Sequence, residues 1–538
     1  MKQTLTLLTA LLLAPLAALH AADAPKQRPN ILVIFTDDLD FEEVGALADC
    51  GDAALAGKPP GKPQRPLTPQ LDRFVEQSLL FTQFHVAATV CTPSRYALLT
   101  GQYCSRSVSL QKKHAVTGAA NVEFNTDILP GQWHLARGLK AAGYTTGIVG
   151  KWHLTDVMAT AKYSNLTVRP PICDYTGKEN GPQDPALPEN ASRVRAAYER
   201  AIKHLHDDIG WDYASSIYMA NANALGLPKP LWEHESNMEW FTAGVLKFLD
   251  QQKGSDKPFF LYFAPNIPHG GGGEKFARAD PRATPEGLVD WHLGVQPPRA
   301  DVLRRVKEAG TKKGMEWTTW LDDGIGVILK KLGDLGLAEN TIVLFSSDQQ
   351  SRGKWSCYEG ARVPLVVRWP GKLKPGSRND TLLSSIDVAP TLLELAGAQL
   401  PTASEAAVDG RSFAAALTGG SVTERPALVE MGYGRAIISG GWKYIAVRFP
   451  EAVTAKAAKL GKRPTLIGDF HPEAQRNPSA WPSFGEADQL FDLRADPMEQ
   501  KNLAAEPAHA AKLVEMKTRL RDALAPLPHV YGEFKTAQ

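Results

Sequence analysis

Four segments of the chain share one pattern, a short continuous apolar run that stops abruptly in polar or charged residues. Asn30 to Asp38 reads Asn-Ile-Leu-Val-Ile-Phe-Thr-Asp-Asp, and Thr145, Thr146, Ile148 and Val149 lead into Gly150-Lys151-Trp152-His153. Phe259 to Phe263 lead into Pro265-Asn266-Ile267-Pro268-His269, and Ile342 to Phe345 lead into Ser346-Ser347-Asp348-Gln349. Runs this short, without an alternating polar face, predict strands covered on both sides. Between them Leu321, Gly324, Ile325, Ile328, Leu329 and Leu332 follow one face of a helix. Strands alternating with helices predict an α/β fold around a large, mostly parallel sheet flanked by helices. Such sheets bind ligands beyond the carboxyl ends of their strands, so the four polar tips are expected along one edge.

Two stretches break the alternation: Thr155 to Pro230, polar and Pro-rich, and Gly270 to Gly314, which opens with four consecutive glycines. Insertions of this length are expected to be binding loops or lids. The glycine run lacks the Lys-Ser/Thr ending of a phosphate loop and is expected to be a surface loop. Beyond Phe413 short strands are predicted at Trp442 to Val447 and Gln489 to Leu493. A final helix carries Leu513, Met516, Leu520 and Leu524. The expected division is a signal peptide over 1–24, a large α/β domain over 25–415 and a smaller C-terminal α+β domain over 416–538.

The first segment carries Lys2, an apolar run from Leu5 to Leu19 and small residues at Ala21, Ala22 and Ala24, the pattern of a secretory signal. As a membrane anchor the run is short and is broken at Pro15, and no later segment is long and apolar enough to span a bilayer. The mature protein is therefore expected to be exported, periplasmic or secreted. With 60 basic and 58 acidic residues there is no global field to recruit nucleic acid or a membrane surface, so an anionic ligand must be gripped locally. Cys50, Cys91, Cys104, Cys173 and Cys357 allow at most two bridges and form no Cys-x-x-Cys zinc pattern. Asn165, Asn190 and Asn379 each head an Asn-x-Ser/Thr triplet, which occurs often by chance.

The chemistry starts at Cys91-Thr92-Pro93-Ser94-Arg95-Tyr96-Ala97-Leu98-Leu99-Thr100-Gly101. Thr92 as N-cap, Pro93 at the first helical position and Gly101 as terminator predict a short helix with Cys91 at its positive end. That end favours an anion, whereas a lone cysteine is more commonly an ordinary core residue. Asp37, Asp38 and Asp348 bring three carboxylates to the expected edge, with the amide oxygen of Gln349 beside them. Like charges so placed call for a cation, and an all-oxygen set suits a hard ion, Ca2+ more readily than Zn2+.

The run Cys91-Thr92-Pro93-Ser94-Arg95, followed by a helix and Thr100-Gly101, resembles the signature of the formylglycine-dependent (type I) sulfatases of the alkaline phosphatase-like superfamily. The resemblance implies that Cys91 is oxidised after translation to formylglycine (3-oxoalanine), whose hydrate attacks sulfur, with Arg95 holding the diol. It implies that Asp37, Asp38, Asp348 and Gln349 bind Ca2+ together with residue 91. Gln349 stands where the family pattern has asparagine, one methylene shorter. Lys151 and His153 are similar to the family's Gly-Lys-Trp-His-Leu element, the lysine binding sulfate and the histidine acting as base for its release. His269, after Pro265-Asn266-Ile267-Pro268, matches the position that protonates the leaving alcohol. Lys354, before Tyr358-Glu359-Gly360, matches a second sulfate clamp, with Ala361 replacing a second glycine. The likeness runs from about Pro29 to Leu503.

What the resemblance implies as a whole is hydrolysis of sulfate esters, with sulfated carbohydrate as substrate and a formylglycine-generating or anaerobic maturing enzyme as partner. Trp152, Trp211, Trp232 and Trp291 are candidates for stacking on sugar rings or for the core. Two alternatives stay open. The superfamily also holds phosphodiester and phosphonate monoester hydrolases, and Gln349 with Ala361 leaves room for a catalytically silent glycan-binding homologue.

Overall fold

The computed structural model describes residues 28–51, 57, 65–117, 121–124, 126–155, 184–221, 227, 231, 236–270, 274–311, 314–467, 474–528 and 531–534. The segment 1–24, Cys173, Trp232, Asn165 and the glycines at 271–273 lie outside the described residues.

Eight strands form one sheet: β1 (Asn30–Thr36), β2 (Leu79–Phe81), β3 (Thr145–Lys151), β4 (Tyr213–Tyr218), β5 (Phe259–Ala264), β6 (Thr341–Ser347), β7 (Leu365–Arg368) and β8 (Ser377–Asn379). Their order is β8-β2-β7-β6-β1-β5-β3-β4. Only β7 runs against the rest, antiparallel to both β6 and β2. The four strands read from the apolar runs are the adjacent centre, β6-β1-β5-β3. Ile31 to Phe35 of β1 are fully buried, which at about 1.5–3 kcal/mol per side chain makes this run the heart of the core.

Two helix groups cover the sheet. One comprises α3 (Met238–Gln251) and α4 (Glu316–Asp334), which pack on one another, α3 also meeting β3 and β4. The other comprises α1 (Cys91–Thr100) and α5 (Val388–Leu395). The smaller unit is a four-stranded antiparallel sheet, β9 (Ala427–Met431), β10 (Gly434–Ser439), β11 (Trp442–Val447) and β12 (Asp488–Asp492), paired in chain order. Against it α6 (Ala510–Leu524) buries Met516, Leu520 and Leu524.

Several expectations need correction. The stretch 155–230 is not simply a loop: it contains α2 (Pro188–His204) and the edge strand β4. Tyr213 to Ser215 are only half-buried at the sheet's edge, so selection for a continuous apolar run is absent there. Within 270–314 lies a helix over Arg299–Ala309, whose inward stripe is as narrow as Val302 and Val306. Trp152 and Trp211 are core residues, while Trp291 is 42% exposed. Asn190 is buried and donates to the Asp184 carbonyl, which is no place for a glycan. Cys50, Cys91, Cys104 and Cys357 are free thiols.

Candidate active site

Register brings the polar tips together. Thr36 pairs with Ser347, and the next backbone bond, Asp348 N–H to the Thr36 carbonyl at 3.1 Å, sets Asp348 beside Asp37 and Asp38. On the other flank Asp37 N–H donates to the Ile267 carbonyl at 3.3 Å, which brings the Pro268-His269 loop alongside. Gly150, with φ of 105°, pairs with Ala264 while its register against β4 breaks, and a Cβ there would lie 2.2 Å from the Ala264 oxygen. Only glycine fits, and Lys151 is aimed by that kink. Asp38, His153 and Trp355 also hold positive φ (62°, 54° and 68°), three of the five non-glycine cases among the described residues. Backbone strain of this kind collects where surrounding contacts fix a functional geometry.

Helix α1 begins at Cys91, two residues earlier than its capping signal suggests. Val90 is the N-cap and supplies no side-chain cap, Pro93 falls at the third helical position, and the buried Thr92 hydroxyl has no partner. The Thr-Pro pair was read as a start signal, but tertiary packing sets the start. The consequence strengthens the site: no side chain occupies the first-turn N–H groups around Cys91. Gly101 ends the helix in the left-handed region as expected (φ 66°), its N–H bonding the Ala97 carbonyl at 2.9 Å.

The cluster is buried and dense in charge. Cys91 Sγ lies 3.2 Å from Asp37 Oδ1 and 3.4 Å from Gln349 Nε2. Lys151 Nζ meets Asp37 at 2.5 Å, Lys354 Nζ meets Asp38 at 2.7 Å, and His269 Nε2 stands 3.7 Å from Asp38. Arg95, fully buried one turn from Cys91, bridges Asp348 at 3.0 Å and Asp37 at 3.4 Å. Three carboxyl groups thus face Lys151, Lys354 and Arg95.

Environment sets protonation. Burial raises the Asp37 carboxyl, but Lys151, His269 and Arg95 together outweigh it and hold its pKa well below the ordinary value. Asp348 is pushed up to about 8, by burial first and by the Asp37 charge next. Burial, then the Asp37 charge, raises the Cys91 thiol far above its usual range. Burial followed by the Lys151 charge keeps His153 neutral, and its Nδ1 has no hydrogen-bond partner. Burial lowers His269 as well.

The donor set fits a hard divalent ion. Asp37, Asp38 and Asp348 are buried, with one oxygen from each within 4.8 Å of the others, the separation of opposite ligands around an ion bound at roughly 2.4 Å. Gln349 Oε1 is buried without a partner, a vacant lone pair beside that group, while its Nε2 donates to Asp38. Glutamine's extra methylene therefore still delivers the amide to the carboxylates.

Every residue nominated from the sequence (Asp37, Asp38, Cys91, Arg95, Lys151, His153, His269, Asp348, Gln349 and Lys354) falls at this one edge. The sequence did not point to Tyr262, whose hydroxyl lies 3.4 Å from Arg95, nor to Ser94, whose hydroxyl donates to the Asp348 carbonyl at 2.5 Å. It also missed a chain of bonds behind Trp152: indole N–H to Thr155 Oγ1 at 2.7 Å, Thr155 to His204 Nε2 at 3.1 Å, and His204 Nδ1 to Asp208 at 2.7 Å. The spacing of Trp152 and Thr155 offered no signal, because the next member of the chain, His204, lies 49 residues beyond Thr155. A cavity of about 740 Å³ on the flank of β4, lined by Tyr198, Ser215, Lys247 and Trp291 among others, contains none of the cluster. At the cluster itself the two lysines fold onto the aspartates.

Residues 29–398 match the family profile described as Sulfatase. Among curated proteins the chain is 28% identical to an N-acetylgalactosamine-6-O-sulfatase of Bacteroides thetaiotaomicron, covering 92% of this chain and 94% of that one. It is also 28% identical to human arylsulfatase A, covering 91% and 86%. Among solved structures, a Bacteroides thetaiotaomicron protein described with the metabolism of multiple glycosaminoglycans superposes with a TM-score of 0.57 at 24% identity, covering 92% and 99%. A protein solved with its substrate D-glucosamine-2-N,6-O-disulfate gives 0.55 at 16% identity, covering 92% and 97%.

Proposed function

The chain belongs to the sulfatase family and is a sulfuric ester hydrolase, and we propose that it cleaves sulfated saccharides with Cys91 converted to formylglycine beside a Ca2+ held by Asp37, Asp38, Asp348 and Gln349. The reaction is R–OSO3⁻ + H2O → R–OH + SO4²⁻ + H⁺. The observation that carries the reading is the convergence of Cys91, two lysines and two histidines on a buried carboxylate cluster. The saccharide assignment draws on the relatives, N-acetylgalactosamine-6-sulfatases among them.

When present, Ca2+ withdraws charge from the sulfuryl oxygens and the hydrated aldehyde at position 91 supplies the attacking oxygen. Lys151 and Lys354 exchange their aspartate partners for sulfuryl oxygens. Arg95 stays behind, offsetting Asp348 and Asp37. Neutral His153, its Nδ1 free, takes the proton from the oxygen at position 91, and His269 gives one to the leaving oxygen.

No helix among the described residues is long and apolar enough to cross a membrane, in keeping with export of the mature chain. The division at residues 415 and 416 belongs to the same proposal, with the first domain bearing every catalytic group. The test is sulfate release by the matured, Ca2+-loaded enzyme from a panel of regiodefined sulfated monosaccharides, N-acetylgalactosamine 6-sulfate first. Release from at least one sugar is expected, with turnover of an aryl phosphonate far below that of an aryl sulfate. Turnover of 4-nitrophenyl sulfate with none of the sugars contradicts the saccharide assignment, and full activity in Cys91→Ala contradicts the nucleophile.

A further inference from the structure

Phe124 stands out among the exposed large apolar side chains. It is 45% exposed, yet its ring lies 5.6 Å from the His153 ring and 4.9 Å, edge-on, from Trp355, whose own ring lies 5.7 Å from Lys354 Nζ. No other exposed large apolar residue among those described makes a ring contact with the cluster. Its place is built. Val122 pairs with Gly432, at the turn between β9 and β10, through two backbone bonds of 3.4 and 2.8 Å. Ile128 N–H bonds the Leu154 carbonyl at 2.9 Å, just past His153. The segment is thus tied at one end to the small sheet and at the other to the His153 loop, and Phe124 sits between the ties. Beneath it Trp355, nearly fully buried with φ of 68°, gives a rigid backing.

We propose that Phe124, braced by Trp355, is the platform on which the pyranose ring of the sulfated sugar packs at the mouth of the site. The inference rests on the saccharide reading above. One ring neighbour is the histidine argued to act on the oxygen at position 91, and the other, Trp355, lies against the lysine argued to hold the sulfate, so the ring bearing the ester falls within reach of Phe124. An aromatic face carries negative charge density that attracts the polarised C–H face of a pyranose, an attraction that an aliphatic side chain of equal area does not reproduce. A saturated apolar group needs only the area.

The test compares Phe124→Ala, Phe124→Leu and Phe124→Trp in the matured holoenzyme, with N-acetylgalactosamine 6-sulfate and 4-nitrophenyl sulfate as probes. With the sugar, Ala and Leu are each expected to raise KM roughly 3- to 10-fold, with kcat much less affected, while Trp stays within about twofold of wild type. Thermal midpoints should not change. An unchanged sugar KM in Phe124→Ala, or its full retention in Phe124→Leu, overturns the platform while leaving the saccharide reading intact. A wild type that turns over only the aryl sulfate overturns both.

Discussion

Replacing Arg95 with leucine tests the ion pairing of the site. The guanidinium is fully buried and pairs with Asp348 at 3.0 Å and Asp37 at 3.4 Å, while Lys151 meets the same Asp37 oxygen and Lys354 meets Asp38. Removing it breaks the buried ion pair with Asp37, whose carboxyl is held ionised, and strips Asp348 of its partner, a loss of about 3–5 kcal/mol. An unfolding entropy of roughly 2.1 cal/mol/K per residue over 538 residues amounts to about 1.1 kcal/mol/K, so the midpoint should fall by about 3–5 °C in chelator. Saturating Ca2+ at a hundred times its Kd stabilises the wild type by about 2.7 kcal/mol. It should stabilise Arg95→Leu more, because the ion meets carboxylates that have lost a competing charge. Scanning calorimetry of both proteins in chelator and in Ca2+ is the assay, and the gap between them should narrow with the ion. A midpoint loss below about 1 °C in chelator refutes the buried ion pairing. An identical gap in both conditions refutes the placement of Ca2+ among Asp37, Asp38 and Asp348.

Two further outcomes follow from the geometry. His269→Ala should cost about 10²–10⁴ in kcat on a sugar sulfate, whose alcohol leaves poorly, but far less on 4-nitrophenyl sulfate, whose phenolate needs no proton; equal losses on both would assign His269 another role. Away from the site, buried Asp322 accepts the N–H groups of Leu71 at 2.6 Å and Gln70 at 3.1 Å, and burial pushes its pKa from 3.8 up to about 7. The folded state then holds this proton more tightly than the unfolded chain, so stability is full below about pH 4 and declines as pH rises towards 7, by at most ~4 kcal/mol. Asp322→Asn should flatten that decline in thermal midpoint, and parallel pH curves for the two proteins would contradict it.

The central strands were legible because burial on both faces removes the need for polar alternation: β1, β3, β5 and β6 are each a bare apolar run ending in its functional residue. The edge strand β4 and the helix Arg299–Ala309 were not, since half-exposed elements mix polar residues into the pattern. At the site, residue chemistry revealed the charged groups, yet local rules misplaced the start of α1, because Thr92 and Pro93 meet the capping pattern while packing places Val90 at the N-cap. Tyr262, the Thr155–His204–Asp208 chain and the Phe124 platform depend on partners distant in the chain and on segments without periodicity. Only the fold could bring them into view.

The central claim is that position 91 reacts as formylglycine and not as a thiol. The direct measurement is the mass spectrum of the peptide containing Cys91, from protein expressed with a formylglycine-generating enzyme and already assayed for sulfate ester turnover. An aldehyde or its hydrate at position 91, in proportion to activity, is the predicted result. A fully unmodified thiol in a preparation that hydrolyses sulfate esters would contradict it.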